Sequence, residues 1–135
     1  MKSKIKVLIA DDHAAFRNSL RAFLEEMEAV EVSGEARNGK QAVEMVERLR
    51  PHLIIMDIRM PELDGLSACR IIKERYPEVK VILYSMYDVE IYRKGTDCPS
   101  DGLIDKGEVF EKIQDLVKNL SKGIPPGSAG SEEKY

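Results

Sequence analysis

Five short apolar runs punctuate the chain: IKVLIA (5–10), VEVSGEA (30–36), HLIIMD (52–57), VKVILY (79–84) and the weaker GLID (102–105). Each has the length and composition of a strand. Helical patterns lie between them. Phe16, Leu20, Phe23, Leu24 and Met27 recur at the spacing of one helix face, on a helix starting near His13. Ala42, Val43, Val46 and Leu49 do the same over 39–50, and Pro51 stops that helix. Leu66, Cys69 and Ile72 mark a third, opened by Asp64-Gly65 and closed before Pro77. Val109, Phe110, Ile113, Leu116, Val117 and Leu120 form the clearest stripe, on a last helix of 107–121. Parallel strands need crossover connections, and these carry helices, so the alternation predicts an α/β fold: a doubly wound five-stranded parallel sheet with helices on both faces. The fourth helical segment is the poor one. DVEIYRKGTDCPSD (88–101) is apolar only at its start and then meets Gly95 and Pro99, which predicts a short helix and a long loop.

With 135 residues the chain has room for one domain and a tail. Residues 1–121 read as the domain. Residues 122–135, rich in Pro, Gly and Ser, read as a flexible tail or linker. The net charge of −3, from 21 basic and 24 acidic residues, offers no electrostatic footprint for nucleic acid or an anionic membrane. A DNA contact would therefore have to come from something outside this chain. Cys69 and Cys98 lack any metal-binding spacing and read as two reduced thiols of a cytoplasmic protein. The apolar run of MKSKIKVLIADD is too short for a signal peptide or a membrane span.

The chemistry lies in a regularity of placement. Asp11 and Asp12 follow the first strand, Asp57 ends the third, Ser85 follows the fourth and Lys106 follows the fifth. In a parallel sheet those ends share one edge, where open α/β sheets bind ligands. Three carboxylates gathered there repel; at ~6 Å and an effective dielectric of about 20 each pair costs roughly 3 kcal/mol. A cation must compensate. Oxygen donors with room for water and phosphate suit Mg²⁺. Lys106 adds a charge on a flexible stem and Ser85 a hydroxyl, both suited to the equatorial oxygens of a phosphoryl group in transfer. The remaining carboxylate then serves as nucleophile, and on position that is Asp57.

The acidic pair Asp11-Asp12, Asp57 followed by MPELDG (60–65), the Ser85 hydroxyl and Lys106, in this order and at these strand ends, resemble the receiver domain of two-component response regulators over roughly residues 4–121. DDHAAFRNSLRAFLE and YSMYD resemble the subgroup that carries a LuxR-type helix-turn-helix output domain. The resemblance implies a flavodoxin-like, CheY-like fold with strand order 2-1-3-4-5. It implies Mg²⁺ held by Asp12, Asp57 and the backbone carbonyl of Arg59, with Asp11 acting through water. It implies a sensor histidine kinase as phosphoryl donor to Asp57. It also implies a switched surface formed by the fourth helix, fifth strand and last helix, controlling transcription through an output domain absent from this chain. Homodimers in the family use the surface of helices four and five or of one and five, and the residues here choose neither.

Leu103 stands where the family has Tyr or Phe, three residues before the lysine, and the interval from Ser85 to Lys106 is one residue shorter than in close relatives. Both departures fall on the signalling surface, so the expectation is that phosphorylation survives while the conformational response is weak or unusual. Simpler readings remain for single residues: Asp11 and Asp12 as a helix cap, Ser85 as an ordinary strand-end serine, His13 and His52 as surface residues, and Arg59 as either the pocket mouth or a solvated side chain. Competing functions are a phosphatase, disfavoured by Arg59 in the place of a general acid; a nucleotide- or flavin-binding module, disfavoured by DDHAAF with no glycine; and a receiver-like scaffold that binds partners without phosphorylation.

Overall fold

The strands form where branched and large apolar residues can be buried on both sides of a sheet. The computed structural model describes residues 4–86, 90, 92 and 99–123. In chain order they build β1 (Ile5–Ala10), α1 (Ala14–Glu25), β2 (Val30–Ala36), α2 (Gly39–Leu49), β3 (Leu53–Asp57), α3 (Gly65–Arg75), β4 (Lys80–Ser85), β5 (Gly102–Asp105), a 3-10 turn (Lys106–Glu108) and α4 (Val109–Gly123). The sheet is parallel throughout, in the order β2-β1-β3-β4-β5. That is the expected doubly wound arrangement. β3, buried along its whole length, lies at its centre.

Alternation along each strand feeds two cores. Leu8, Ala10, Ile54, Met56, Val81 and Leu83 pack on one face beneath α2 and α3. Ile5, Val7, Ile9, Leu53, Ile55, Ile82 and Tyr84 pack on the other with Leu20 and Leu24 of α1 and Val109, Ile113, Val117 and Leu120 of α4. Period-2 strands between two sets of amphipathic helices leave no apolar strand residue without a partner layer.

Caps fix the helix ends. Asn38 and Asp64 accept from the backbone N–H groups of Gln41 and Ser67, so α2 and α3 start where their side chains satisfy otherwise orphaned donors. Arg50, in a left-handed conformation at φ 48°, ends α2 ahead of Pro51. The last helix spans Val109–Gly123 instead of the expected 107–121, beginning at the first residue of its apolar stripe. Asp105 accepts from Gly107 N–H at 3.0 Å and winds residues 106–108 into a 3-10 turn first. At the other end of the sheet, Lys73 Nζ donates to the carbonyls of Pro77 and Val79 and to Asp101, which also accepts from Val81 N–H. This ties the approach to β5 onto β4.

His52 is half-buried rather than a surface residue. Its Nδ1 accepts from Lys6 N–H at 2.9 Å, and its backbone bridges Lys6 and Lys80 at the amino ends of β1 and β4. Burial and the Lys6 charge hold its imidazole below the usual range. Cys69 is buried in the α3 core. Most of the fourth helical segment, Cys98, and the tail from residue 124 lie outside the described residues. Among the described residues no helix is long and apolar enough to cross a membrane.

Candidate functional site

The carboxyl edge of the sheet carries the polar groups. Asp11 directly follows β1 and is fully buried; Asp57 is the last residue of β3 and 3% exposed; Ser85 is the last residue of β4 and fully buried; Lys106 directly follows β5. Asp12 is the solvent-facing member, with its side chain about one-third exposed. One oxygen from each of Asp11, Asp12 and Asp57, with a ring nitrogen of His13, lies within 4.8 Å of the others. The strand-end reading of the sequence thus matches the placement of all five residues.

The positions of the acids follow from backbone contacts. Ile58 N–H donates to the Tyr84 carbonyl, which holds the chain beyond Asp57 against β4. Arg59 N–H donates to Asp57 Oδ1 at 3.1 Å. Gly65 N–H then donates to the Ile58 carbonyl at 2.7 Å, closing the loop that follows the strand. A Cβ at Gly65 would lie 2.2 Å from the Asp57 carbonyl oxygen, so only glycine lets α3 begin this close to the strand end. Gly39 donates to the Leu63 carbonyl, and a Cβ there would lie 2.0 Å from that oxygen, fastening the same loop to α2.

Charge is crowded here. Burial pushes the Asp57 carboxyl up to about 6; the Arg59 N–H opposes this, Asp11 adds to it, Lys106 opposes it and Asp12 adds to it. A carboxylate raised by burial and by its acidic neighbours is one that a divalent cation would stabilise. The donors are oxygens from three chain positions, one of them open to solvent, which fits a hard cation that keeps part of its water shell. Lys106 Nζ lies 3.5 Å from Asp11 Oδ2 and 4.3 Å from the centre of the Phe16 ring. An open cleft of about 560 Å³ adjoins the acids, bordered by Asp12, Arg59, Met60, Pro61, Leu66 and Tyr92. Arg59 therefore sits at the mouth. Leu103 packs on the aliphatic face under α2 and α3, across from Leu83.

Three residues belong to the site beyond those picked out by strand-end position. His13, though 58% exposed at its side chain, turns Nδ1 onto the acids, 3.1 Å from Asp11, 3.2 Å from Asp12 and 3.9 Å from Asp57. Arg17, a buried residue of α1, donates to the Asp11 carbonyl at 2.7 Å and pairs with Glu35 of β2 at 2.9 Å. Tyr84 donates its hydroxyl to Asp11 Oδ2. Two of these carried a signal in the chain: an arginine inside an apolar helix face, and a phenol in a strand buried on both sides, each of which needs a partner.

Residues 7–118 match the response regulator receiver domain, and the chain belongs to that family. It is 42% identical over 93% of its length to a protein-glutamate methylesterase/protein-glutamine glutaminase of Alkalilimnicola ehrlichii, covering 36% of that protein. It is 36% identical over 88% of its length to the response regulator VraR of Staphylococcus aureus, covering 57% of it. The chain thus spans between about a third and three-fifths of these relatives. Among solved structures, the signal receiver domain of NarL from Mycobacterium tuberculosis superposes with a TM-score of 0.76 at 27% identity, covering 90% of this chain and 98% of that one. The receiver domain of RcsB from Salmonella enterica, solved with the phosphomimetic BeF3⁻, gives 0.78 at 26%, covering 95% of each. The chain is therefore a receiver domain of two-component signalling, a family that binds Mg²⁺ at an aspartate cluster and interacts with histidine kinases.

Proposed function

We propose that Asp57 is the phosphoacceptor of this receiver domain and that Mg²⁺ is held by Asp12, Asp57 and the Arg59 carbonyl, with Asp11 acting through water. The observation that carries this reading is the convergence of Asp11, Asp12 and Asp57 from two neighbouring strands, beside Lys106 from a third. Asp57 attacks the phosphorus of a phosphohistidine on a sensor kinase; an O–P bond forms as the N–P bond breaks, and the leaving imidazole keeps the electron pair. When bound, the cation screens the acids and draws charge from the phosphoryl oxygens. Lys106 supplies a second positive charge and Ser85 a hydroxyl donor. The Arg59 N–H holds Asp57 Oδ1, which leaves Oδ2 as the attacking atom.

Added phosphoryl charge at a strand end biases the neighbouring surface between two states. We place that surface on β5, α4 and the segment 88–101; the expected boundary at 121 moves to the end of α4 at Gly123, which leaves 124–135 as the linker. We further propose a LuxR-type DNA-binding output domain in a longer chain, a cytoplasmic setting and control of transcription; the likeness to the RcsB response regulator of Salmonella typhimurium, solved in a study of its DNA interaction, supports the DNA-binding part of this reading. Phosphorylation and dephosphorylation of its own aspartate are the only catalysis this reading requires.

The test is direct. Incubation with MgCl₂ and acetyl phosphate adds one phosphate by intact mass in the wild type, none in Asp57→Ala, and one in Asp64→Asn, which keeps the α3 cap. An adduct that survives in Asp57→Ala overturns the assignment. No adduct in the wild type favours the alternative, a receiver-like scaffold that binds partners unphosphorylated.

A further inference from the structure

Asp11 has no exposure to solvent, and donors occupy its carbonyl and both carboxylate oxygens. Arg17 Nη1 holds the carbonyl at 2.7 Å, His13 N–H holds Oδ1 at 2.8 Å, and the Tyr84 hydroxyl holds Oδ2, with Lys106 Nζ 3.5 Å from that same oxygen. Tyr84 comes to the acid from inside the core beneath α1 and α4, where it is itself fully buried. Its ring packs 5.3 Å from Phe16, and both rings lie under the Lys106 ammonium, at 5.6 and 4.3 Å. A phenol buried to this degree requires an acceptor, and Asp11 is that acceptor.

We propose that Tyr84 is a positioning residue for the acidic site, its hydroxyl fixing Asp11 Oδ2 in the core so that Oδ1 faces Asp12, Asp57 and the cation they share. The inference rests on the reading of this site as a cation-dependent phosphoacceptor. A buried carboxylate oxygen that loses a donor is left under-satisfied. Lys106 already stands beside Oδ2. Without the hydroxyl, carboxylate and ammonium close on each other; Asp11 then turns from the cation and Lys106 from the phosphoryl position. The hydroxyl thus keeps two charged groups apart and both available.

Tyr84→Phe removes the hydroxyl and keeps the ring. The melting temperature of the full chain, followed against MgCl₂ concentration, reports Mg²⁺ affinity without any phosphoryl donor. Tyr84→Phe should weaken that affinity by about 3–10-fold, the loss of one buried hydrogen bond. The MgCl₂ concentration for half-maximal phosphorylation by acetyl phosphate should rise by the same factor, and the rate at saturating MgCl₂ should fall as well, because Lys106 is drawn from the phosphoryl position. In an Asp11→Asn background the second substitution should have no further effect, whereas a general loosening of the core would persist there. An affinity equal to or tighter than wild type overturns the proposal. If Tyr84→Phe does not fold, ¹³C-tyrosine resonances of the wild type serve: the Tyr84 signal should move through the MgCl₂ titration, and a signal that stays fixed while Asp57 shifts overturns it. A wild type with no response to MgCl₂ removes the cation reading of the whole site, whereas equal responses in both proteins remove only the role of Tyr84.

Discussion

The two faces of the sheet are built from different materials. Under α2 and α3 the core is aliphatic, drawn from residues such as Leu8, Ile54, Met56, Val46 and Ile72. Under α1 and α4 it is threaded by aromatic rings: Tyr84 against Phe16, Phe16 against Phe110, and Phe110 edge-on to Phe23, at centroid distances of 5.0 to 5.8 Å. The aliphatic core reaches the cleft through Met60 and the half-buried Tyr92. The aromatic core ends in a phenol that bonds Asp11 and a ring that lies against Lys106. Packing on one face therefore shapes the cleft wall, while packing on the other touches the charged groups themselves.

That contrast can be broken in three places. The largest effect belongs to Ile54→Ala, which empties a fully buried position on the aliphatic face. It should cost about 2–5 kcal/mol in urea unfolding, with the MgCl₂ dependence of melting unchanged in concentration range; a shifted range would mean that this face also shapes the site. Next comes Asp57→Asn, which separates electrostatics from packing. The folded Asp57 carboxyl sits at about 6 against an ordinary 3.8, so the folded protein binds this proton more tightly than the unfolded chain. Ionisation above that value therefore costs stability, and the cost is relieved as pH falls through 6 and is gone near 4. At pH 7.5 without metal, Asp57→Asn should be more stable than wild type by roughly 1–3 kcal/mol, and the two should converge by pH 4. A gap that does not narrow on acidification would contradict the crowding of charge described above. The smallest change is Phe16→Leu, which should cost roughly 1 kcal/mol of stability yet slow acetyl phosphate labelling, because Lys106 loses the ring that holds its ammonium.

The fold was legible because strand and helix periods alternate cleanly. β1, β2 and β5 match their runs residue for residue, and β3 and β4 differ by one residue at their ends. HLIIMD begins one residue early because His52 serves as a hydrogen-bond bridge at the strand's foot rather than as its first residue. The last helix begins at 109, the first residue of its stripe, and not at the expected 107, because Asp105 caps a 3-10 turn over 106–108. The acids, serine and lysine were readable from position alone, since a parallel sheet sends every carboxyl strand end to the same edge. Tyr84, Arg17 and His13 were not, because their roles depend on which side chain lies across the sheet or across a turn. The departure at Leu103 places an aliphatic side chain on the aliphatic face. The expected weak response over 86–106 falls in part on residues 87–89, 91 and 93–98, which lie outside the described part.

Gly65 and Gly39 each let one backbone touch another, and between them they buckle the loop that leaves Asp57. Its crest, Pro61 with Glu62 at φ 71°, stands at the rim of the cleft, clear of both fastenings. On the proposed role of Asp57, substitutions at Pro61 and Glu62 should alter the rim that a phosphoryl donor meets, while the contacts at Gly39 and Gly65 keep the carboxylate behind it in place. Donor preference and transfer rate should then vary independently, one with the rim and one with the strand.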